Sequence, residues 1–582
     1  MKKVIIILLL LFGSTAQLFS QTVNGEILSD TNNVMVVRLW GTSEERGFAY
    51  GYLAGDKIIE VLEGFIIPYW GDDWATLKEI IAEGLSFQID SLYWYEAQAM
   101  MDGASAAGYN PSGYNALDVL AANLLNDVYA WQINKNKGGF HCSTFMNWND
   151  ATAGTDLDGC SVISRHMDSY VSTVLINNVV IIIHIPSEQD LQPWLLIGNA
   201  GEMAPASGIN SSGLSIFASG LTDQVWNYSS HAGYEPYAFT FRKALEAIDY
   251  NQDSVNNMLD IRDAISSNTQ GYGSGINISA LAPSTAVYDS LIALVAEVAP
   301  EYPCITFRDN SFNDLLPGDN LYAANSQIKR NNCCHYCGRY LAIVNNIGDG
   351  TGIGSQENWD LMKNYSNGGT TNMQFMQYIP EWGQLNLSVY KNGSPAYLHE
   401  PITYDVNEFF YLPVPMVYFT ADTTLIFKGD SIHFTDLSEN NPSGWEWEFE
   451  GGIPEISTEQ NPVVIYNVSG YYDVTLNVSN IYGSDSLTIS DYITVDSQTG
   501  MIPHNNIQAG IYPIPAQDKL CISSSNNIKS VDILDISGQV IRNQKCNSRQ
   551  LKINIQDLPD GIYFIRLYSG DTEVTKKIIK MR

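Results

Sequence analysis

The stretch His141-Cys142-Ser143-Thr144-Phe145-Met146-Asn147-Trp148 decides how this chain is read, together with Asp156-Leu157-Asp158-Gly159 and Ser164-Arg165-His166-Met167-Asp168. The first stretch has the pattern of a short apolar strand. Turn residues lie between Gly154 and Gly159, and a returning strand follows. A hairpin of this kind brings its two ends together. Cys142 opens one strand, and Arg165 and Asp168 close the other, so a thiol, a guanidinium and a carboxylate meet. A cation beside a thiol lowers its pKa and raises its nucleophilic fraction. Cys160 is the rival nucleophile, but it stands five positions before Arg165 with no hairpin between them. A buried, inert cysteine is the alternative reading of Cys142, and a structural ion pair that of Arg165 and Asp168.

Upstream of the hairpin, 34–40 reads as a strand and Gly41-Thr42-Ser43-Glu44-Glu45-Arg46-Gly47 as a helix start. Thr42 or Ser43 serves as cap there, and Glu45 faces the exposed N–H groups. Helical patterning continues to about Trp131. It is clearest over 118–131, where Leu120, Leu124, Val128 and Trp131 share a face. From Cys142 onward the pattern changes to short strands separated by Gly, Asn and Asp turns. The apolar run 171–185 reads as a buried strand pair turning at Asn177-Asn178. Helices return over 238–248 and 254–265, and a strand over 291–298. The region ends near Phe409 to Pro413. A helical front followed by sheets with inserted helices predicts an α+β or layered fold.

Residues 414–496 form a separate all-β unit, with Phe434-Thr435-Asp436, Trp445-Glu446-Trp447-Glu448-Phe449 and Gly470-Tyr471-Tyr472-Asp473 as landmarks. The spacing predicts a β-sandwich, and the order resembles a PKD domain. That resemblance implies spacing or binding of a cell-surface glycan or protein. A polar linker covers 497–509. The segment 510–582 carries Ile511-Tyr512-Pro513-Ile514-Pro515-Ala516, then Leu558-Pro559-Asp560-Gly561-Ile562-Tyr563, then the basic end Lys576-Lys577-Ile578-Ile579-Lys580. It resembles the type A sorting domain of type IX secretion, and is read as a second small β-sandwich. The resemblance implies a Bacteroidota-like cell, handling by the type IX machinery, and removal or anchoring of the tail.

A chain of 582 residues accommodates about three or four domains. With 45% hydrophobic and 16% charged residues it is not a disordered chain. A net charge of −33 opposes nucleic acid and anionic membranes as partners. Lys2 and Lys3 followed by an apolar run from Val4 to Phe12 read as a signal peptide over 1–21. The run is shorter than the roughly 20 residues a spanning helix needs, and a membrane anchor is the alternative. Eight cysteines are too few for a disulfide scaffold of this length. Cys333-Cys334-His335-Tyr336-Cys337 lacks the second cluster of a zinc site, so a disulfide is expected there, with Cys304 as a partner. Cys521 and Cys546 are expected to pair or to stay buried. No cofactor and no metal are expected.

A cysteine opening a hairpin that closes on Arg-x-x-Asp resembles the cysteine N-terminal-nucleophile hydrolases. The nearest resemblance is to the acyl-coenzyme A:isopenicillin N acyltransferase-like family. Choloylglycine hydrolases and acid ceramidase-type amidases are more distant relatives. Three further segments agree: Gly41-Thr42 with Glu45 and Gly47, Gly208-Ile209-Asn210-Ser211-Ser212-Gly213-Leu214, and Asn320 to Asn325 followed by Arg339. The resemblance spans about residues 34–410. It implies an αββα sandwich over 22–413, with an α part to 141 and a β part released by self-cleavage before Cys142. Asp168 would hold the new α-amine and Arg165 would support the thiolate. Asn325 would face the oxyanion or the substrate, and Arg339 would orient Cys142 or a substrate carboxylate. His166, His141 and Ser219 depart from the family pattern, the last at a place where some relatives carry an oxyanion Asn. The implied activity is that of a secreted hydrolase or acyltransferase that cleaves a non-peptide amide of a small acyl-amide through an acyl-enzyme. Two alternatives stay open: a surface binding or adhesion protein on a degenerate hydrolase fold, and a phospholipase B-like ester hydrolase.

Overall fold

The structure is a computed structural model. It describes residues 23–580 apart from 85, 125–126, 128–141, 170, 222–232, 269, 286–290, 301, 310, 313–314, 331–335, 441, 481, 497–508, 513–515, 517–518, 536–538, 560 and 571. The signal-peptide segment, His141 and the Cys333-Cys334-His335 run therefore lie outside the described residues. The chain divides into two compact units, the first built mainly on residues up to Met416.

Fifteen strands of the first unit follow one another as β1 Gly25–Thr31, β2 Val34–Gly41, β3 Ser143–Asn147, β4 Val162–Asp168, β5 Val179–Pro186, β6 Trp194–Asn199, β7 Ser207–Asn210, β8 Ser215–Gly220, β9 Ile276–Leu281, β10 Ala293–Val298, β11 Ile305–Arg308, β12 Asn320–Ala323, β13 Asn372–Ile379, β14 Gln384–Val389 and β15 Ile402–Asp405. They form a nine-stranded sheet in the order β1-β2-β5-β6-β7-β8-β9-β10-β11 and a six-stranded sheet in the order β12-β3-β4-β13-β14-β15. Only β2 and β5 run parallel; the other neighbours are antiparallel. The main helices are α1 Ser43–Val61, α2 Asp73–Glu83, α3 Ser91–Ala106, α4 Ala116–Asn123, α5 Tyr237–Glu246, α6 Met258–Ser267, α7 Gly338–Asn346 and α8 Ser355–Tyr365.

Three apolar clusters set the layers. Met146, Ile163, Ile181, Leu195, Phe217 and Met376 interlock between the two sheets. Val180, Ile182, Leu196 and Ile216 point the other way, against Ile58 of α1, Met100 of α3 and Leu245 of α5. Phe145, Tyr322 and Phe375 leave the six-stranded sheet on its outer side and meet Tyr340 and Ile343 of α7 and Trp359 and Met362 of α8. Strand alternation produces this split: Met146 faces the other sheet while its neighbour Phe145 faces the helices. Every residue of β5 is buried, which is why Val-Val-Ile-Ile-Ile-His-Ile-Pro shows no polar alternation.

Several sequence expectations meet their elements with shifted ends. Thr42 caps α1 in a capping box with Glu45. The helix expected from 254 starts at Met258, because Asn257 caps it and Asp260 reaches back. The helix expected to 248 stops at Glu246, where Ala247 turns extended and bridges Leu191. The apolar run 171–185 is not a strand pair. Thr173–Asn177 is a short helix closed by Asn178, whose side-chain amide donates to the Val174 carbonyl at 2.8 Å, and only β5 is a strand. Helix α4 ends at Asn123, and the rest of the expected 118–131 helix lies almost wholly outside the described residues.

In the second unit, Phe419–Ala421, Ser431–Asp436, Val463–Tyr466 and Gly452–Ile453 form one sheet. Leu425–Phe427, Gly483–Asp496, Gly470–Asn480, Gly444–Phe449 and Ile456–Ser457 form another. Phe434, Trp447 and Phe449 pack between them. The last segment joins Ala509–Tyr512, Lys519–Leu534, Val540–Asn554, Gly561–Ser569 and Thr572–Lys580 into one sheet over a core of Leu520, Ile533, Ile565 and Leu567.

Cys333 and Cys334 of the expected disulfide cluster lie outside the described residues, and no disulfide joins the described cysteines. Cys304, Cys337, Cys521 and Cys546 are all free thiols and only half-buried. Register explains the last two. Cys521 stands opposite Lys552, and Cys546 is about 20 Å further along that strand, while a disulfide needs Cα atoms within about 7 Å.

Candidate active site

Strands β3 and β4 are the hairpin expected from the sequence, with Thr144 opposite Arg165 and Ser143 opposite His166. Cys142 immediately precedes β3 and is buried. Period-two alternation puts Arg165 on the face between the sheets. There its Nη1 donates to Ser207 Oγ of β7 at 2.6 Å, and its Nε and Nη2 donate to the Ala218 carbonyl of β8 at 3.3 and 2.8 Å. The same Nη2 lies 3.5 Å from Cys142 Sγ. Among the described residues this buried guanidinium makes no ion pair. Its hydrogen bonds go to a hydroxyl, a carbonyl and the thiol, so its charge is balanced by no direct anionic contact.

Asp168 ends β4 on the opposite face. Arg339 Nη1, in the first turn of α7, donates to Asp168 Oδ2 at 2.9 Å, and Asn372 Nδ2 of β13 donates to Oδ1 at 2.9 Å. Arg339 Nη2 also donates to the Cys142 carbonyl at 3.3 Å and to Asn325 Oδ1. One guanidinium thus joins Cys142, Asp168 and Asn325. Burial raises the Asp168 pKa to about 6, while Arg339, Asn372 and Arg165 pull it down. The backbone of Gly368 lies against this carboxylate, since a Cβ there would stand 2.0 Å from Asp168 Cγ.

Asn325 is held at both ends of its amide, with Nδ2 donating to the Gly220 carbonyl at 2.5 Å. Its loop is clamped by Asn277, whose Nδ2 donates to the carbonyls of Ala324 and Ser326 at 2.9 Å each. The buried Glu297–Arg308 pair secures the following turn. Glu297 accepts the backbone N–H of Ile328, Lys329 and Arg330 and the Arg308 Nε at 2.8 Å.

His166, Ser219, Asn210 and Cys160 have distinct settings. His166 is buried, stacks on Phe375 with centroids 4.1 Å apart, and has its pKa lowered to about 3 by burial. The Asn372 amide donates to its Nδ1, so Nε2 carries the proton given to the Met362 carbonyl. It is a neutral packing residue. Ser219 Oγ is buried without a hydrogen-bond partner. Asn210 closes its turn by accepting from Ser212 and Leu214 N–H. Cys160 packs with Leu157, Val162 and Ile379, and burial and the Glu381 charge raise its thiol pKa. It is disfavoured as a thiolate.

The five residues singled out from sequence, Cys142, Arg165, Asp168, Asn325 and Arg339, thus form one connected group. Sequence reasoning missed Ser207, Asn277, Gly368 and Asn372. None sits in a recognisable motif, although Asn367-Gly368-Gly369 reads as a turn.

Residues 414–495 match the PKD domain family, and residues 510–581 match the secretion system C-terminal sorting domain. The sorting domain makes this a secreted or cell-surface-attached protein. No curated protein matches the chain. Among solved structures, the N-acylethanolamine-hydrolyzing acid amidase ortholog of Caenorhabditis elegans is 13% identical, covers 41% of this chain and 93% of its own, and has a TM-score of 0.30. A mutant of the conjugated bile acid hydrolase from Clostridium perfringens is 11% identical, covers 46% of this chain and 93% of its own, and has a TM-score of 0.28. The PKD1 domain of a Vibrio cholerae metalloprotease is 28% identical, covers 15% of this chain and 100% of its own, and has a TM-score of 0.13.

Proposed function

We propose that the first unit is a cysteine N-terminal-nucleophile hydrolase or acyltransferase of αββα architecture, acting on a non-peptide amide of a small acyl-amide. The observation that carries this reading is the buried Arg165 guanidinium 3.5 Å from Cys142 Sγ, with no anion paired to it among the described residues. A buried cation without a partner is costly, and a thiolate is the partner the site provides. In this reading the bond before Cys142 is cleaved and the new α-amine is held by Asp168. Such an amine has a pKa of about 7.7 to 8 and serves as general base for its own thiol. The thiolate attacks the amide carbon and a tetrahedral oxyanion forms. Collapse of that intermediate passes the proton from the α-amine to the departing amine and leaves a thioester. Water hydrolyses the thioester, or an acceptor amine takes the acyl group. Arg339 keeps the Cys142 backbone, Asp168 and Asn325 in register, and Asn325 orients the substrate or the oxyanion. The PKD domain serves as a spacer or surface-binding module, and type IX machinery exports the chain.

A denaturing gel with N-terminal sequencing of the secreted protein tests the reading. Two fragments are expected, the larger beginning at Cys142. Cys142→Ala should leave one chain and no amide hydrolysis. A wild-type protein that stays uncut and inactive across a panel of acyl-amides would favour a surface-binding role instead.

A further inference from the structure

A cavity of about 100 Å³ opens beside the Arg165 side of the candidate site. Its walls include Met167 and Ser169, which flank Asp168; Ala206, next to the Ser207 that holds Arg165; and Gln374, two residues after Asn372. The remaining wall is largely apolar, with Ile58, Leu62, Phe65, Val119 and Leu175 prominent. The cavity's polar side chains are Asn123, Ser169, Asn199, Glu202, Tyr237 and Gln374. Ser169 Oγ and Gln374 Oε1 are buried and have no hydrogen-bond partner. Glu202 lines the same wall and uses Oε1 to accept from the Asn199 N–H at 3.0 Å. Its Oε2 stands where a Cβ on Gly198 would be 2.2 Å away, so a side chain at 198 would displace this carboxyl from its present position.

An apolar cavity with a few converging polar atoms is the usual form of a small-molecule subsite. Here the Gln374 oxygen and the Ser169 hydroxyl lack partners among the described residues, with the Glu202 carboxyl beside them, which matches a ligand that brings a hydrogen-bond donor. The positive field of Arg165 reaches Glu202 and disfavours a second cation in the cavity. Burial also raises the Glu202 pKa to about 7, so near neutrality much of it is an uncharged carboxyl. A neutral hydroxyl is therefore the better fit.

We infer that this cavity receives the apolar part of the acyl group and that Glu202, with Ser169 and Gln374, selects acyl groups bearing a hydroxyl. The inference rests on the amide-hydrolase reading for the word acyl, but the cavity and its unpaired atoms are independent of it. Free acids are products rather than substrates, so their binding tests the subsite without turnover. Calorimetry on the secreted wild-type protein should compare decanoic acid with β-hydroxydecanoic and ω-hydroxydecanoic acid. One hydroxylated acid is expected to bind about tenfold tighter than decanoic acid. Glu202→Leu should remove or reverse that preference, and Glu202→Gln, which keeps an acceptor, should retain it. Thermal melting identifies a variant that has failed to fold, in which case the wild-type and Glu202→Gln comparison stands alone. Equal binding of all three acids by the wild type, or a preference that survives in folded Glu202→Leu, overturns the subsite. Failure of amide hydrolysis with the preference intact overturns the hydrolase reading alone.

Discussion

Arg165 is the residue on which the proposed chemistry turns, because its planar fork reaches three partners at once: Ser207, the Ala218 carbonyl and Cys142 Sγ. A lysine offers one point charge and cannot keep that geometry. Arg165→Lys is expected to lower kcat/KM on an acyl-amide by about 100-fold or more while the protein still melts cooperatively, measured by steady-state kinetics and calorimetry. Asp168 makes a pH prediction. Its pKa is raised to about 6 by burial, and in the proposed mechanism it holds an amine as the carboxylate, so activity should rise as pH passes upward through 6. Asn372 donates to the charged form of Asp168. Asn372→Ala removes that donor and should move the acidic limb of the kcat/KM profile to higher pH. A limb that does not move would separate it from Asp168. Cys142 and Arg165 were legible in sequence because a hairpin has a local pattern. Asn372 was not, since it lies 204 positions from Asp168 and reaches it only through strand pairing.

Among the elements, α1 and α3 pack backbone against backbone. A Cβ on Gly51 would lie 1.7 Å from the Met100 carbonyl oxygen, and one on Gly103 would lie 2.0 Å from that of Phe48. Both are backbone atoms and neither can give way cheaply. Gly51→Ala is expected to destabilise the protein by about 3 kcal/mol or more, visible as a lower midpoint in denaturant titration. A midpoint unchanged from wild type would contradict this close approach. The strand β13 carries a register shift between Asn372 and Gln374, which puts Asn372 opposite Asp168 and Gln374 opposite Met167. That irregularity aims one side chain at the carboxylate and the other into the cavity. A bulge depends on the partner strand and leaves no mark in the sequence of one strand alone.

For the whole molecule, burial has a consequence in acid. His184 is buried, stacks flat on Trp194 at 4.3 Å, and its ring nitrogens have no hydrogen-bond partner. Burial, with the Arg242 and Arg46 charges, holds its pKa well below the usual 6.5. The unfolded chain takes up a proton below about 6.5 that the folded one refuses, so this group's contribution to stability falls with pH by about 1.4 kcal/mol per unit. His184→Phe keeps the stack and removes the proton. Its melting temperature relative to wild type should rise steadily as pH is lowered from neutrality toward 5, followed by calorimetry. A constant difference would show that His184 does not exclude the proton. By itself the sequence determined what depends on neighbours along the chain. This includes the sorting tail, the PKD pattern, the capping box of α1, and the Cys142 to Asp168 hairpin with its alternating faces. Only the tertiary structure decided which distant groups complete the site. Arg165 is pinned by the opposite sheet, Asp168 is closed in by Gly368 and Asn372, and a largely apolar cavity with the unpaired Ser169 and Gln374 oxygens lies beside them. Such contacts are fixed by how two sheets and their helices pack, and packing is a property of surfaces that no local run of residues specifies.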